Sequence, residues 1–271
     1  MKHSTDIEPA LQKHPRINPY LLGVHMILNR ILWDLNPKSW LSKSRLSDLK
    51  NSKRGRKAVI LCNGPSLLKT DLNALAQVDT FGLNKINLIF DKTDFRPSYI
   101  VAVNRLVLEQ NAPFYNETNI PLFLDSKASS YIEFRPQNIF LHTWHHARFA
   151  QDCRISVAQG NTVTYVAMQL AFHMGYTDVA LVGCDHYFKT RGPANMEVVS
   201  SSNDENHFDP NYFSGGVKWQ LPDLPASEFY YSLAQQFYLA HERRIINATE
   251  GGHLEIFPRQ NLQQWLEAPS P

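Results

Sequence analysis

The chain contains the stretch Lys57-Ala-Val-Ile-Leu-Cys-Asn-Gly-Pro-Ser-Leu67, in which a short apolar run leads directly into a turn sequence. The run is apolar on both faces, which is typical of a buried strand in a parallel sheet. The turn must end the strand, because Pro65 has no amide hydrogen and Gly64 permits positive φ. Ser66 is a suitable cap for a short helix. A strand, a glycine-containing turn and a helix start form the unit with which α/β enzymes hold phosphate, although a plain strand-to-loop turn has the same pattern.

Composition sets the class of protein. A chain of 271 residues is long enough for one large α/β domain, or for one domain with an appendage. The net charge of +2 is too small to argue for a nucleic-acid partner. Cys62, Cys153 and Cys184 lie far apart without zinc-site spacing, so we predict reduced, buried thiols. The chain has no run of roughly 18 apolar residues and no signal-peptide layout. We therefore expect a cytoplasmic protein, either free or peripheral at the inner membrane.

A helical pattern precedes the first strand. Apolar side chains recur near helical spacing over residues 18–40, Pro19 suits a first helical turn, and Asn36-Pro37 should end the helix. Basic residues follow, with Asp48 the only acid between residues 38 and 57. The pattern predicts an N-terminal helical extension, residues 1–54, that packs on its own domain or on a partner subunit. An interfacial membrane helix with a basic flank is the alternative.

Further apolar runs predict more parallel strands, and ligands of such sheets bind beyond the carboxyl ends of the strands. Asn84 and Asn104 directly follow two of the runs, and an amide suits a ribose hydroxyl or a base edge. Asparagine is also an ordinary turn residue, so each one alone can be structural. The predicted strands are Asp79–Leu83, Ser98–Val103, Pro121–Leu124, Asn138–Leu141, Asp178–Val182 and Arg244–Asn247. A His-rich patch follows the fourth of these, and it contains His142, Trp144, His145 and His146.

The second half of the chain predicts one long helix and its following strand tip. Residues 160–176 read as a helix that starts near Asn161-Thr162 and ends at Gly175, with His173 as a satisfied structural histidine. The next strand ends in Gly183-Cys-Asp-His-Tyr187. Asp185, His186 and Tyr187 are therefore placed for ligand contact.

A long polar segment covers residues 189–223. A loop of this length in a compact domain is usually a functional lid or is disordered. Its four large aromatic residues favour a lid that orders against the rest of the molecule: Phe208, Tyr212, Phe213 and Trp219. A helix over residues 225–241 precedes the final strand.

Four short motifs, taken in order, resemble a known group of enzymes. They are Asn63-Gly-Pro-Ser-Leu67, the asparagines after the next two strands, Gly183-x-Asp-x-Tyr187, and Asn203-Asp-x-x-His207. The set is similar to the bacterial sialyltransferases of glycosyltransferase family 42. It also resembles the DUF115 group, which includes flagellin-modifying Maf proteins and MptE-like pterin diphosphokinases; residues 160–259 look most like this group. The resemblance spans about residues 55–260. It implies a single Rossmann-like domain, residues 55–271, with a mainly parallel sheet in a GT-A-like variant and a long lid loop.

The resemblance implies roles for matching residues. Asn63 and Gly64 would contact the phosphate and ribose of a CMP-sugar, and Asn84 and Asn104 would hold the nucleotide and sugar. Asn161 or Thr162 stands at a helix start where the family has Ser or Thr.

The resemblance also implies the catalytic residues. Tyr187 matches a tyrosine that donates to the leaving phosphate, and His207 matches the general base. Two positions depart from the family pattern. Cys62 replaces a glycine, and a second phosphate-binding tyrosine is missing, for which Lys189 or Arg191 is the substitute.

The predicted function is transfer of a nonulosonic-acid-type sugar from a CMP-activated donor to a glycan or protein hydroxyl, with His207 as general base. The chain has no Asp-x-Asp for a metal-diphosphate clamp, so no metal or other cofactor is predicted. The alternative is an MptE-like 6-hydroxymethylpterin diphosphokinase that uses ATP and Mg²⁺, for which only Asp125, Asp185 and Glu250 lie at strand tips. A non-catalytic nucleotide-sugar binder is the third reading. The sequence is also compatible with weak membrane contact through residues 18–57 and with a homo-oligomer.

Overall fold

A seven-stranded parallel sheet forms the centre of the protein. The computed structural model describes residues 18–144, 147–200 and 203–269. The strands of the sheet are β1 (Lys57–Leu61), β2 (Asp79–Leu83), β3 (Tyr99–Ala102), β4 (Leu122–Asp125), β5 (Asn138–Leu141), β8 (Asp178–Val182) and β11 (Arg244–Asn247), and each pairs with its neighbours in parallel. Two small ribbons supply the remaining strands of the described chain: parallel β6 (Thr143–Trp144) with β7 (Val157–Ala158), and antiparallel β9 (Glu197–Val199) with β10 (Lys218–Gln220).

Helices flank the sheet. They are α1 (Pro19–Asp34), α2 (Pro37–Leu49), α3 (Arg105–Gln110), α4 (Ala112–Glu117), α5 (Val163–Met174), α6 (Leu224–Leu239) and α7 (Leu262–Glu267). Short 3₁₀ turns complete several of the connections after strands. The arrangement confirms the predicted α/β, Rossmann-like architecture with an N-terminal helical segment.

The order of the strands is β11-β8-β1-β2-β3-β4-β5. The chain leaves β1 toward β2 on one side, and it leaves β8 toward β11 on the other. The connections therefore diverge between β1 and β8, and a crevice opens outside the carboxyl ends of these two strands. This crevice is the topological switch point of the sheet.

Helix α5 covers the centre of one sheet face. Every residue from Thr164 to Met174 is buried. The Thr162 side chain caps the start of the helix, and Gly175 ends it in the left-handed region at φ 95°. His173 is fully satisfied, since Cys153 N donates to Nδ1 and Nε2 donates to Leu46 O. These features confirm the predicted helix and the predicted structural histidine, and all three cysteines are free and buried as predicted.

The two N-terminal helices differ in their packing. Helix α2 lies on β5, where Ser42 Oγ accepts from Phe140 N at 3.0 Å and Leu46 enters the core. Helix α1 buries Trp33 alone. The helix is present as predicted, but its apolar face does not pack on the rest of the described chain. The division of the chain at residue 54 stays a prediction.

Several local predictions are wrong. Ser66 does not cap a helix: the turn after β1 is a 3₁₀ helix, Pro65–Lys69, whose cap position is Gly64, without a side-chain bond. Gly64 has φ −71°, so positive φ is not the reason for the glycine. The long loop also contains the ribbon β9–β10. His145 and His146 of the His-rich patch lie outside the described residues.

The described part of the chain contains no helix that is both long enough and apolar enough to cross a bilayer.

Candidate functional site

A cleft of about 500 Å³ lies at the switch point of the sheet. Its walls come from the turns after β1, β2, β3 and β8, the start of α5, helix α6 and the lid, which we define as residues 189–223. Ten of the twelve site residues predicted from sequence line it, whereas Ser66 and Lys189 do not. The ten are Asn63, Gly64, Asn84, Asn104, Asn161, Thr162, Asp185, His186, Tyr187 and His207.

The turn after β1 holds a protein carboxylate. Ser66 donates to Asp185 Oδ2 from its hydroxyl at 2.7 Å and from its amide at 3.2 Å. The Gly64 amide donates to Gly183 O. A Cβ on Gly64 would lie 1.9 Å from Asp185 Oδ2, so this position needs glycine for space. The amide donors expected to hold phosphate are therefore used to join β1 to β8.

Two asparagines present unpaired oxygen atoms. Asn63 donates from its side-chain Nδ2 to Leu83 O at 3.1 Å, and its backbone carbonyl accepts from Phe208 N of the lid. Its Oδ1 is buried and lacks a hydrogen-bond partner, as does Oδ1 of Asn84, which has φ 48°. Buried polar atoms are rarely left unpaired, so both oxygens are candidate acceptors for donors on a ligand, such as hydroxyl or amino groups.

The N-terminus of α5 faces the same cleft. Thr162 Oγ1 accepts from Thr164 N, and it lies 3.3 Å from the hydroxyl of Tyr231. Asn161 is exposed at the helix start with φ 55°. A helix of this length has a partial positive charge at its N-terminus, which favours a phosphate group. Asn104 differs, because its Oδ1 caps α3 by accepting from Val107 N.

The lid supplies an Asp–His pair. His207 Nδ1 lies 2.7 Å from Asp204 Oδ2, and the His207 ring stacks on Tyr212 at a centroid distance of 4.0 Å. Burial opposes ionisation of Asp204, but hydrogen bonds from His207 and backbone amides prevail, so the pKa of this carboxyl is lowered. A proton on Nδ1 leaves Nε2 as the basic nitrogen of the neutral ring. A histidine that is held by a carboxylate in this way can serve as a general base.

A second histidine on the cleft also has a carboxylate partner. His186 Nε2 lies 2.9 Å from Glu228 Oε1 of α6, and His186 is held at φ 53°. Tyr187 is half-exposed beside His253. Lys189 instead pairs with Glu205 at the surface, so it does not replace the missing tyrosine within the cleft.

A buried lysine anchors the lid. Lys85 Nζ donates to Tyr212 O and to Gln110 Oε1, both at 2.7 Å, and it lies over the Phe213 ring. Burial lowers the pKa of Lys85 to about 8, although nearby Asp204 opposes the shift. The lid is therefore fixed to the turn after β2 by contacts that the sequence pattern did not indicate.

The charge of the cleft is unusual for a nucleotide site. Its described lining contains no lysine and no arginine, and its only carboxylate, Asp185, is already bonded to Ser66. Amides are instead the most numerous polar side chains of the lining, and these are Asn63, Asn84, Asn104, Gln159, Asn161, Asn195, Asn206 and Gln220.

The carboxylates considered for Mg²⁺ do not come together. Asp125 accepts from Lys127 N and Gln159 Nε2, and Glu250 lies at the surface near Lys69. β4 and β8 are four strand positions apart, which separates Asp125 from Asp185 by about 19 Å at roughly 4.8 Å per strand. Among the described residues, no group of three or more His, Cys, Asp or Glu side chains is arranged to hold a metal ion. These three carboxylates therefore do not form a Mg²⁺ site built from protein ligands alone.

Comparison with known proteins identifies the family. A solved structure of the Maf glycosyltransferase from Magnetospirillum magneticum AMB-1 is similar at 14% identity with a TM-score of 0.48, covering 84% of this chain and 39% of that one. This chain thus spans about two fifths of that protein's length. No curated protein matches the sequence. The family model described as "6-hydroxymethylpterin diphosphokinase MptE-like" matches residues 35–191, more than half of the chain, and stops before the Asp–His pair of the lid. The chain belongs to this MptE-like family.

Proposed function

We propose that the protein is a metal-independent glycosyltransferase that uses a sugar activated by a nucleoside monophosphate, of the CMP–nonulosonic acid class. The observation that carries the proposal is the Asp204–His207 pair, whose His207 lines a cleft that is rich in amides and whose described part lacks lysine and arginine. The pair supplies a base, and the cleft suits a ligand with many hydroxyl groups and little charge.

The charge of the donor separates the candidates. ATP carries several negative charges, which proteins normally meet with lysine, arginine and a carboxylate-bound Mg²⁺. A CMP–nonulosonic acid carries one phosphate and one carboxylate, which is less charge than ATP carries, and the N-terminus of α5 and nearby hydroxyl groups can stabilise the phosphate. The unpaired Oδ1 atoms of Asn63 and Asn84 can accept from the ribose, the base or the sugar.

The proposed transfer is a single displacement. The acceptor hydroxyl gives its proton to His207 Nε2 while its oxygen forms a bond to the anomeric carbon of the donor sugar. The bond from that carbon to the phosphate oxygen breaks, and CMP leaves with the electron pair. Asp204 holds His207 in the required tautomer and stabilises its cationic form. His186 and Tyr187 line the same cleft, and they are the groups we assign to the leaving phosphate.

The diphosphokinase remains the second candidate, because the family description names that activity and the match covers residues 35–191. A third candidate is a protein that binds a nucleotide-sugar without turning it over. The diphosphokinase requires acidic ligands that Asp125, Asp185 and Glu250 do not assemble.

Calorimetric titration with CMP, UDP and ATP, each with EDTA and with Mg²⁺, tests the proposal. We expect CMP to bind equally well under both conditions and more tightly than ATP. Binding of ATP alone, or binding that requires Mg²⁺, would contradict the proposal and favour the diphosphokinase. Release of CMP from a CMP-sugar then separates an enzyme from a non-catalytic binder.

A further inference from the structure

Helix α1 exposes one continuous apolar face. Eight of its side chains, including that of the C-terminal cap residue, are 47–84% exposed, and none is charged. At about 100° per residue, they fall within an arc of roughly 140° on the helix surface. We call this face the α1 stripe, and it consists of Tyr20, Leu21, Val24, Ile27, Leu28, Ile31, Leu32 and Leu35.

The opposite side of α1 is the side that contacts the domain. Trp33 is buried there, and Arg30 bonds to Ile155 O and to Asp34. The helix is therefore already oriented by contacts within the chain. Within the part of the chain that the structure describes, nothing covers the α1 stripe.

The spacing within the stripe is that of a helix-pairing surface. Leu21, Val24, Leu28, Ile31 and Leu35 follow each other at intervals of three, four, three and four residues. This alternation is the heptad pattern with which identical helices pack side by side. The stripe is therefore complementary to a second copy of itself, as an isologous dimer interface requires.

Charge argues against a lipid surface as the partner. An interfacial membrane helix needs lysine or arginine free on its polar face. The one basic side chain of α1 besides His25 is Arg30, which is paired with Asp34. Three of the basic residues that follow are also paired with acidic side chains: Lys43 with Asp34 of α1, Lys50 with Asp152, and Lys53 with Asp79.

We propose that α1 is a self-association helix, which packs its stripe against the α1 stripe of a second copy of this chain. Each aliphatic side chain removes roughly 60–120 Å² from water when fully buried, so the stripe offers on the order of 500 Å² per copy. The stripe alone therefore offers more than half of the roughly 800 Å² per partner of a standard interface.

The proposed interface leaves the cleft free. Every described residue that lines the cleft comes from position 62 or later, so none belongs to α1. The inference is thus independent of the proposed function, and each copy keeps a complete site.

Light scattering after size exclusion, over a range of protein concentrations, tests the inference on the full chain. We expect wild type to elute at a multiple of the chain mass, and Leu28→Glu/Ile31→Glu to elute as a monomer. Asn29→Glu is the matched control, because Asn29 is exposed between the two positions but lies outside the stripe. It should leave the association unchanged, with at most a twofold shift in dissociation constant.

Three results would overturn the inference. One is a monomeric wild type at all concentrations. Another is a double variant that associates as wild type does. The third is a wild type that is monomeric in buffer but binds vesicles of phosphatidylglycerol and phosphatidylcholine, because the stripe would then serve a lipid surface.

Discussion

The burial of the lid and of helix α1 is the opposite of what their compositions suggest. The lid is polar and rich in turn residues, yet Phe208 and Tyr212 are almost completely buried against the sheet. Helix α1 is strongly apolar, yet its stripe faces outward. The two segments differ in what packs against their apolar side chains. The described chain supplies a surface that buries the aromatic side chains of the lid, and it supplies none that buries the α1 stripe.

The difference shows what an apolar pattern specifies. Periodicity determines which side chains of a helix share a face, and thereby which face needs cover. It does not determine where the cover comes from. The large aromatic side chains of the lid join the hydrophobic core on one side of the sheet, whereas α1 buries only Trp33 within the described chain.

The largest effect should come from emptying the pocket beneath the lid. Phe208→Ala removes a buried aromatic ring, and Phe208 N also donates to Asn63 O. We expect the free energy of unfolding to fall by about 3–5 kcal/mol, the usual cost of such a truncation. Urea denaturation measures it. A loss below about 1 kcal/mol would mean that the lid is not packed as part of the core.

A smaller effect should follow from breaking the Asp–His pair. Asp204→Asn removes the charge on a carboxyl that accepts from His207, and we expect a loss of about 2 kcal/mol at neutral pH. The folded pKa of Asp204 lies below its ordinary value. Its contribution is therefore complete above that ordinary value and is lost as the pH falls through the folded value.

Chemical denaturation of wild type and Asp204→Asn, at neutral pH and in increasingly acidic buffers, tests this direction of the pH dependence. The difference between the two proteins should shrink with acid. A difference that stays constant or grows as the pH falls would show that the carboxylate does not stabilise the lid.

The smallest effect should come from the matched truncation on α1. Tyr20→Ala also removes an aromatic ring, but Tyr20 is 84% exposed. Made in the monomeric Leu28→Glu/Ile31→Glu background, it should change the free energy of unfolding by less than about 0.5 kcal/mol. If the loss in free energy of unfolding approached that of Phe208→Ala, the stated difference between the buried lid and the exposed α1 stripe would be wrong.

The sheet could be predicted closely from sequence because buried parallel strands are short, continuous apolar runs. All seven of its strands were located, together with α5 and α6. Helix α2 was missed for a physical reason: its buried face consists of Ser39, Ser42 and Leu46, which gives no apolar periodicity. Helices α3, α4 and α7 each span six residues, too few for a periodic pattern to stand out.

The site was predictable where polar residues follow strands, because parallel strands bring their carboxyl ends to one edge. The hydrogen-bond partners of those residues could not be predicted from the sequence. Asp185 reaches Ser66 across 119 positions, and Lys85 reaches Tyr212 across 127. Asp204 was visible in the Asp-x-x-His spacing, but its role depends on a lid conformation that no local pattern specifies.

The most direct test of the account compares His207→Ala with wild type for CMP release from a CMP-sugar in EDTA, with CMP affinity measured on the same preparations. We expect release to fall by about 10²- to 10⁴-fold, the usual contribution of a positioned base, while CMP affinity changes little. His207 pairs with Asp204 and not with the residues assigned to the nucleotide. Release at the wild-type rate by His207→Ala would contradict the central claim, because the Asp–His pair would then take no part in the reaction.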